Sequence, residues 1–233
     1  MNYVFDVDGT LTPSREKIDE KFEKFFLDFC RKQSVYLVTG SDYDKTVEQL
    51  GRSICFAVEG IYNCSGNLLI KRDVEVYRND FELTDEEVEA LNLELRKSGF
   101  SIRTGNHIEK RIGAVNFSIV GRNANKAERQ LYIEWDQATN ERHIICENLN
   151  DRFSRLDFVV GGETGIDIFL KGKDKSQIAR HLRPFTFFGD RCEIGGNDHS
   201  IYLIADKAHW VSDWKDTYLK LRDVMELDNE AAV

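Results

Sequence analysis

The chain of 233 residues lacks several features that mark membrane and nucleic-acid-binding proteins. It has no apolar stretch near the roughly 20 residues that a membrane-spanning helix needs. No run of Lys or Arg interrupts its net charge of −9. We therefore expect neither membrane nor nucleic acid among its partners. Only two prolines are present, so turns must be shaped mainly by the 16 glycines.

The cysteines indicate the redox state of the compartment in which the protein is found. The five cysteines are an odd number, and no two of them form a Cys-x-x-Cys pair. This usage is typical of reduced thiols, and we expect a cytoplasmic protein. A hydrophobic content of 41% in a chain of this length suffices for a buried core, with or without an inserted module.

What the chain does have is an apolar segment at Tyr3 to Phe5, followed at once by Asp6 and Asp8. On a strand, residues i and i+2 lie on one face. Because Gly9 ends the strand, both acids lie at its carboxyl end, where open α/β sheets bind ligands. Two neighbouring carboxylates repel each other unless a divalent cation lies between them, and oxygen ligands suit Mg²⁺. A carboxylate beside Mg²⁺ can also attack phosphorus and form an aspartyl phosphate.

The elements that follow alternate as in a parallel α/β sheet. Aromatic residues at helical spacing over Glu16 to Lys32 precede a short apolar strand, Val35 to Val38. Phe56 to Val58 is predicted as a third strand, and Ile201 to Ala205 as a strand near the end of the chain.

A second kind of pattern interrupts this core. A capping box at Thr84 begins one helix, and a second helix and several alternating stretches typical of antiparallel strands follow. We therefore predict an α/β core of residues 1–76 and 167–233 with a parallel sheet. The inserted cap domain, residues 77–166, is predicted as α+β with an antiparallel sheet.

Further polar residues come at the ends of predicted core elements. Thr39 and Ser41 follow the second strand. Either hydroxyl could cap the next helix or donate to a phosphoryl group, and the residues alone do not decide between these roles. Lys175 begins a helix after the insertion, where its charge would offset crowded carboxylates.

A third carboxylate, Asp190, ends a late apolar strand, and a glycine-rich segment with Asn197 and Asp198 follows. If this strand lies beside the first, Asp190 would complete an octahedral Mg²⁺ site together with waters and a backbone carbonyl. We predict Asp6, Asp8 and Asp190 as metal ligands. Asp198 is predicted as a further metal position, and Asn197 as a substrate-binding position.

Two segments resemble known families. FDVDGTLT, Phe5 to Thr12, resembles the first motif of the haloacid dehalogenase (HAD) superfamily of phosphotransferases. The pattern R-x-G-x-x-N-x-S-x-x-G-R, from Arg111 to Arg122 and followed by Arg129, resembles the sugar-phosphate-binding segment of eukaryotic-type phosphomannomutases. Further matches to that family lie at residues 13–15, 41–45, 49–51, 161–162, 167–169 and 187–199.

The resemblance implies a HAD Rossmann-like core and the interconversion of mannose 6-phosphate and mannose 1-phosphate. It implies Mg²⁺ as cofactor and a hexose 1,6-bisphosphate as activator. Asp6 would be the nucleophile and Asp8 the general acid and base. Lys175, with Thr39 or Ser41, would bind the phosphoryl oxygens.

The resemblance also implies how substrate is bound and how chains assemble. The distal phosphate would be bound by four arginines, Arg15, Arg111, Arg122 and Arg129, since guanidinium groups bind phosphate in a bidentate manner. Asp167 would bind sugar hydroxyls, and residue 165 belongs to the same substrate region. A homodimer through the cap domain is the further implication.

The chain departs from the family's pattern at three positions. Gly165 stands where the family usually has a sugar-contacting Ser, His107 replaces an aromatic at the cap–cap interface, and Thr39 replaces a Gly. Two alternatives therefore stay open. One is a sugar-phosphate phosphatase that transfers the phosphoryl group from Asp6 to water, and the other is a non-catalytic sugar-phosphate-binding protein. The intact carboxylates, lysine and hydroxyls favour an enzyme.

Overall fold

A computed structural model describes residues 1–14 and 16–230, which form two compact units. The first, here called the core unit, comprises Met1 to Arg78 and the chain from Gly172 onward. The second, here called the cap unit, is the continuous segment from Asn79 to Lys171.

The part of the chain that the structure describes contains eleven strands and eight α-helices. The strands are β1 (Asn2–Phe5), β2 (Ser34–Val38), β3 (Gly60–Asn63), β4 (Leu68–Lys71), β5 (Val74–Arg78), β6 (Ile108–Arg111), β7 (Ala114–Phe117), β8 (Leu156–Gly161), β9 (Gly165–Leu170), β10 (Phe185–Gly189) and β11 (Lys207–Trp210). The helices are α1 (Glu20–Lys32), α2 (Tyr43–Ala57), α3 (Asp85–Lys97), α4 (Lys126–Thr139), α5 (Glu141–Arg152), α6 (Ala179–Leu182), α7 (His199–Ile204) and α8 (Trp214–Glu230).

The core unit is built on a seven-stranded sheet with the order β11-β10-β1-β2-β3-β4-β5. The strands from β11 to β3 pair in parallel, whereas β4 and β5 are added antiparallel at one edge. The central strands β1 and β10 are apolar along nearly their whole length, as expected where helices cover both faces of a parallel sheet. Phe5 therefore pairs with Phe188 at the carboxyl ends of two adjacent strands.

Aromatic packing holds α1 against this sheet. Phe22, Phe26 and Phe29 lie on one face of α1, at spacings of four and three residues, and all three are buried. Phe26 meets Phe5 edge to face, with ring centroids 5.2 Å apart. Phe5 in turn stacks on Phe188 at 4.8 Å. Asp19 caps α1 by accepting from the backbone N–H of Phe22 at 3.1 Å, so the helix begins at Glu20 and not at Glu16.

The cap unit is a four-stranded antiparallel sheet with the order β6-β7-β9-β8. Because side chains alternate along a strand, one face of the sheet is apolar. This face contributes Phe117, Phe158 and Ile168 to a buried cluster that includes Leu91 of α3 and Leu149 of α5. The opposite face is polar, and it carries the residues considered below.

The predicted fold class, an α/β core with a separate antiparallel α+β module, is confirmed. The unit boundaries fall at 78/79 and 171/172, whereas the sequence placed them at 76/77 and 166/167. Strand β9 runs across 166/167 and is hydrogen-bonded on both sides within the cap sheet. Residues 167–171 therefore belong to the cap unit.

Two predicted strands are wrong. Phe56 and Ala57 are the last two residues of α2, and Val58 is its C-cap. The third strand is β3. Ile201 to Ala205 lies largely in α7, and the strand beside β10 is β11. Short apolar runs do not distinguish a buried strand from a helical segment. Helix α5 was missed because its sequence has almost no apolar periodicity.

The described helices include none that is long and apolar enough to cross a membrane. All five cysteines are free thiols.

We expect Phe26→Ala to destabilise the core unit strongly. The substitution removes a fully buried ring that contacts Phe5, and a cavity of this kind costs about 3–5 kcal/mol of unfolding free energy. Urea denaturation measures the change. Phe56→Ala is the matched control, since its side chain is 45% exposed and should cost about 1 kcal/mol or less. Equal losses in the two variants would contradict the packing described here.

Candidate active site

Three carboxylates meet at the carboxyl edge of the core sheet. Asp6 follows β1 and Asp190 follows β10, two strands that are adjacent and parallel. The backbone N–H of Asp6 donates to the carbonyl of Phe188 at 2.9 Å, which extends the pairing by one residue. Asp198 comes from the glycine-rich segment that follows. One carboxylate oxygen from each of the three acids lies within 4.8 Å of the other two.

Lys175 lies among these acids and is itself buried. Its Nζ atom is 2.5 Å from Oδ1 of Asp6 and 2.7 Å from Oδ1 of Asp198. Asp174 caps the 3₁₀ turn that starts at Lys175 by accepting from the backbone N–H of Ser176 at 2.8 Å. This local turn positions the ammonium group between two carboxylates.

Burial and the neighbouring charges shift the pKa values of Asp6, Asp190 and Lys175. Burial raises the pKa of Asp6 well above its ordinary value and the charge of Asp198 adds to this, while Lys175 opposes both. Burial also raises the pKa of Asp190, again with a contribution from Asp198. Burial alone would lower the pKa of Lys175, but the charges of Asp198 and Asp6 outweigh it and raise that pKa. One ammonium group thus faces three carboxyl groups, so a further positive charge would be stabilised at this position.

The residues present fit a hard divalent cation. Oδ1 of Asp190 is buried and has no hydrogen-bond partner among the described residues, although a buried carboxylate oxygen ordinarily has one. Asp6, Asp190 and Asp198 together supply the oxygen ligands that Mg²⁺ prefers. Gly9 allows the loop after β1 to approach closely: its φ is +83°, and a Cβ atom there would lie 2.1 Å from Oδ2 of Asp190.

Asp8 has different surroundings from Asp6. Its carboxylate is not part of the three-acid group among the described residues. Instead, Oδ1 of Asp8 accepts from Nε2 of Gln49 on α2 at 2.9 Å. Two acids from one motif therefore differ, one buried beside an ammonium group and one held by a neutral amide. This difference in environment is how one site can give two carboxylates different roles.

Two residues that contact these acids were not identified from the sequence. Gln49 lies on a helix 41 positions from Asp8; residues 49–51 match the family pattern, but that match did not predict the contact with Asp8. The hydroxyl of Thr10 donates to Oδ2 of Asp6 at a long 3.4 Å. Thr10 lies within the first motif, so its position there was the available signal.

The hydroxyls after β2 are placed as follows. Thr39 is buried, and its Oγ1 accepts from the backbone N–H of Ser41 at 3.1 Å. Ser41 is half-buried. The cap of α2 is Asp42, which accepts from the backbone N–H of Lys45 at 2.9 Å. Neither hydroxyl is therefore required as the side-chain cap of α2, and the choice between them as a phosphoryl donor stays a prediction.

The predicted arginines of the cap unit are each paired with an acid. Arg111 and Arg122 both donate to Oε2 of Glu109, at 2.8 to 3.0 Å. Arg129 donates to Oε2 of Glu163 at 2.9 Å. All three guanidinium groups are partly exposed, so these pairs are weak and can be exchanged for another anion.

The remaining predicted positions divide between the two units. In the cap unit, Asp167 and Gly165 lie on β9, and Oδ1 of Asp167 is 3.6 Å from Nη1 of Arg111. In the core unit, Asn197 is exposed, one residue before the buried Asp198. Arg15 lies outside the described residues.

The fold of the chain has counterparts among solved structures. The solved structure of a HAD subclass IIB sugar phosphatase matches the chain with a TM-score of 0.56 and 17% identity, covering 89% of this chain and 85% of that one. The chain therefore has the HAD fold.

Relatives in sequence identify the family to which the chain belongs. The family model described as eukaryotic phosphomannomutase matches residues 22–227. A phosphomannomutase of Encephalitozoon cuniculi is 35% identical over 96% of this chain and 93% of its own length. A probable phosphomannomutase of Caenorhabditis elegans is 31% identical over 97% and 96%. The chain belongs to the eukaryotic phosphomannomutase family.

We expect Lys175→Met to lower the unfolding free energy by about 3–5 kcal/mol in metal-free buffer, because it leaves buried carboxylates without their cation. Urea denaturation in the presence of a chelator measures this. Lys220→Met is the control, since its pair with Asp216 is about a third exposed and such pairs contribute about 0–1 kcal/mol. A Lys175→Met variant as stable as the control would show that the ammonium group does not offset the charge of the acids.

Proposed function

We propose that the protein is a Mg²⁺-dependent phosphohexomutase that interconverts mannose 6-phosphate and mannose 1-phosphate through an aspartyl phosphate. The observation that carries this proposal is Asp6, which is buried at the sheet edge, bonded to Lys175 and grouped with Asp190 and Asp198. The family of the chain supports the choice of a mutase and of mannose phosphates.

In the proposed reaction, a carboxylate oxygen of Asp6 attacks the phosphorus of a bisphosphorylated hexose. An O–P bond to Asp6 forms as the bond from phosphorus to the sugar oxygen breaks, and Asp8 protonates that oxygen. Phospho-Asp6 then transfers the phosphoryl group to the free 6-hydroxyl of an incoming mannose 1-phosphate, and Asp8 takes the proton of that hydroxyl. The bisphosphate that results turns over in the site, its 1-phosphoryl group passes to Asp6, and mannose 6-phosphate is released. We assign Asp8 to proton transfer because its carboxylate is held by Gln49 and lies outside the three-acid group.

Asp6, Asp190 and Asp198 would hold Mg²⁺, which when bound supplies positive charge against the phosphoryl oxygens. Asp8, the fourth predicted metal ligand, stays a prediction, since its carboxylate lies outside the three-acid group. Lys175 would bind the phosphoryl oxygens, together with the hydroxyl of Thr39 or Ser41. These groups are fixed before substrate arrives, so no reorganisation is needed as negative charge develops during transfer.

A mutase must also bind the phosphate group that is not being transferred. We propose that the cap arginines do so, and that the phosphate replaces Glu109 and Glu163 as their partner. The substrate-binding residues of this proposal are Arg15, Arg111, Arg122, Arg129, Gly165, Asp167 and Asn197. A hexose 1,6-bisphosphate would serve as activator by phosphorylating Asp6.

The family resemblance is also the basis on which we propose a homodimer through the cap unit and a cytoplasmic location.

A sugar-phosphate phosphatase is the second candidate. The observation in its favour is Thr39, a buried hydroxyl at the end of β2 where the phosphomannomutase pattern has a glycine. Such an enzyme would use the same Asp6 and would pass the phosphoryl group to water.

The first test is ³¹P NMR of mannose 1-phosphate with Mg²⁺, with and without glucose 1,6-bisphosphate. We expect conversion to mannose 6-phosphate that depends on the bisphosphate. Asp6→Asn should lose more than about a thousandfold in rate, because it removes the nucleophile, while Asp44→Asn on the exposed start of α2 should retain the wild-type rate. Inorganic phosphate as the sole product would instead establish the phosphatase.

The second test measures the metal directly, without turnover. We expect Asp190→Asn to weaken Mg²⁺ binding by at least about tenfold in isothermal titration calorimetry, since even groups that only orient metal ligands contribute about 10–100-fold. Asp44→Asn is again the control. Unchanged Mg²⁺ affinity in Asp190→Asn would remove this acid from the proposed metal site.

A further inference from the structure

The polar face of the cap sheet carries the residues that are proposed to meet the sugar. Asn116 on β7 is directly opposite Asp167 on β9, and Gly165 is opposite Gly161 on β8. Gly165 and Asp167 are two positions apart, so they share this face. The helices of the cap unit lie against the other, apolar face.

Two side chains on this face lie flat over two glycines. A Cβ atom at Gly161 would be 2.1 Å from Oδ2 of Asp167. A Cβ atom at Gly165 would be 2.6 Å from Nδ2 of Asn116 and 3.0 Å from its Oδ1. The absent side chains thus make room for Asp167 and Asn116, and Asn116 occupies the space that a side chain at 165 would need.

The hydrogen bonding of Asn116 gives it a defined direction. Its side chain is nearly fully buried, and Nδ2 donates to Oδ1 of Asp167 at 2.6 Å. Its Oδ1 is buried and has no partner among the residues that the structure describes. If the side-chain amide of Asn116 were flipped, its Oδ1 would face the carboxylate of Asp167 and the two oxygens would repel each other. The hydrogen bond to Asp167 therefore fixes the orientation of the amide, although it leaves Oδ1 of Asn116 without a described partner.

We infer that Asn116 is a specificity-determining residue for the hexose: it fills the space beside Gly165 and sets the direction of the Asp167 carboxylate. The inference rests on the proposed function, in which Asp167 accepts from sugar hydroxyls. In this chain, discrimination between hexose phosphates that differ in hydroxyl orientation depends on Asn116 and not on a side chain at 165.

The test compares Asn116→Ala, Gly165→Ser and the double variant by kcat and KM for mannose 1-phosphate and glucose 1-phosphate, with the bisphosphate activator present. Asn116→Ala should raise KM for the preferred hexose by about tenfold, since a hydrogen bond to a charged group is lost, and should reduce the preference between the two hexoses. Gly165→Ser should act in the same direction, because the serine displaces Asn116. The double variant should be no worse than Asn116→Ala, because both substitutions remove one contact and their effects do not add.

A control separates specificity from stability. Asn150 bonds both the N–H and the carbonyl of Phe158 on β8 through its side chain, so Asn150→Ala should lower Tm while the hexose preference is unchanged. If Gly165→Ser does not fold, Gly165→Ala replaces it in the test. This variant introduces the Cβ atom alone, and we expect it to change KM and the hexose preference in the same direction as Gly165→Ser. A higher kcat/KM in Gly165→Ser, or an unchanged preference in Asn116→Ala, would overturn the inference.

Calorimetric binding of mannose 6-phosphate distinguishes this inference from the proposed function. If the wild-type protein shows no mutase turnover, the proposed function fails. Weaker binding of this ligand by Asn116→Ala than by Asn150→Ala would still support the role of Asn116, and equal binding would reject it.

Discussion

The buried ammonium group of Lys175 is the interaction on which the active-site region depends. Asp6, Asp190 and Asp198 crowd their carboxylates at the edge where β1 and β10 end. Without a cation their mutual repulsion and the cost of burial would oppose this arrangement. Lys175 compensates two of them directly, at 2.5 Å and 2.7 Å. One carboxylate oxygen of the third, Asp190, has no hydrogen-bond partner among the described residues, as expected of a group that could also hold a cation.

The two units differ in how far their ion pairs are exposed to water. In the core unit one buried lysine stands against two buried acids and the half-buried Asp190, and burial together with the neighbouring charges raises the pKa values of Asp6, Asp190 and Lys175. In the cap unit three arginines are matched by Glu109 and Glu163 at the surface. Water screens the surface pairs, so they can exchange for a ligand at low cost. The buried group is permanent, whereas the exposed pairs are replaceable.

The sequence predicted the parts of this structure that depend on local pattern. Asp6 and Asp190 each follow an apolar strand, so their meeting at one sheet edge could be expected once the strands were taken as neighbours. Gln49 could not be found this way, because its contact with Asp8 joins an α2 side chain to a residue 41 positions away. The helix α7 was predicted as a strand, since a run of four or five apolar residues fits either state once both are buried. The fit of Asn116 over Gly165 depends on interatomic distances across strands and has no signature in composition or spacing.

The pairing of β1 with β10 has a consequence for how the chain acquires its structure during synthesis. Lys175 is 169 positions from Asp6, and β1 remains without one of its neighbours until the last quarter of the chain has been made. The cap unit, in contrast, is continuous from Asn79 to Lys171 and has its own apolar cluster. If the cap unit is already compact, the flexible loop that must close is much shorter, and each halving of that loop lowers the closure cost by about 0.6 kcal/mol. The insertion thus shortens the search that brings the two ends of the core together.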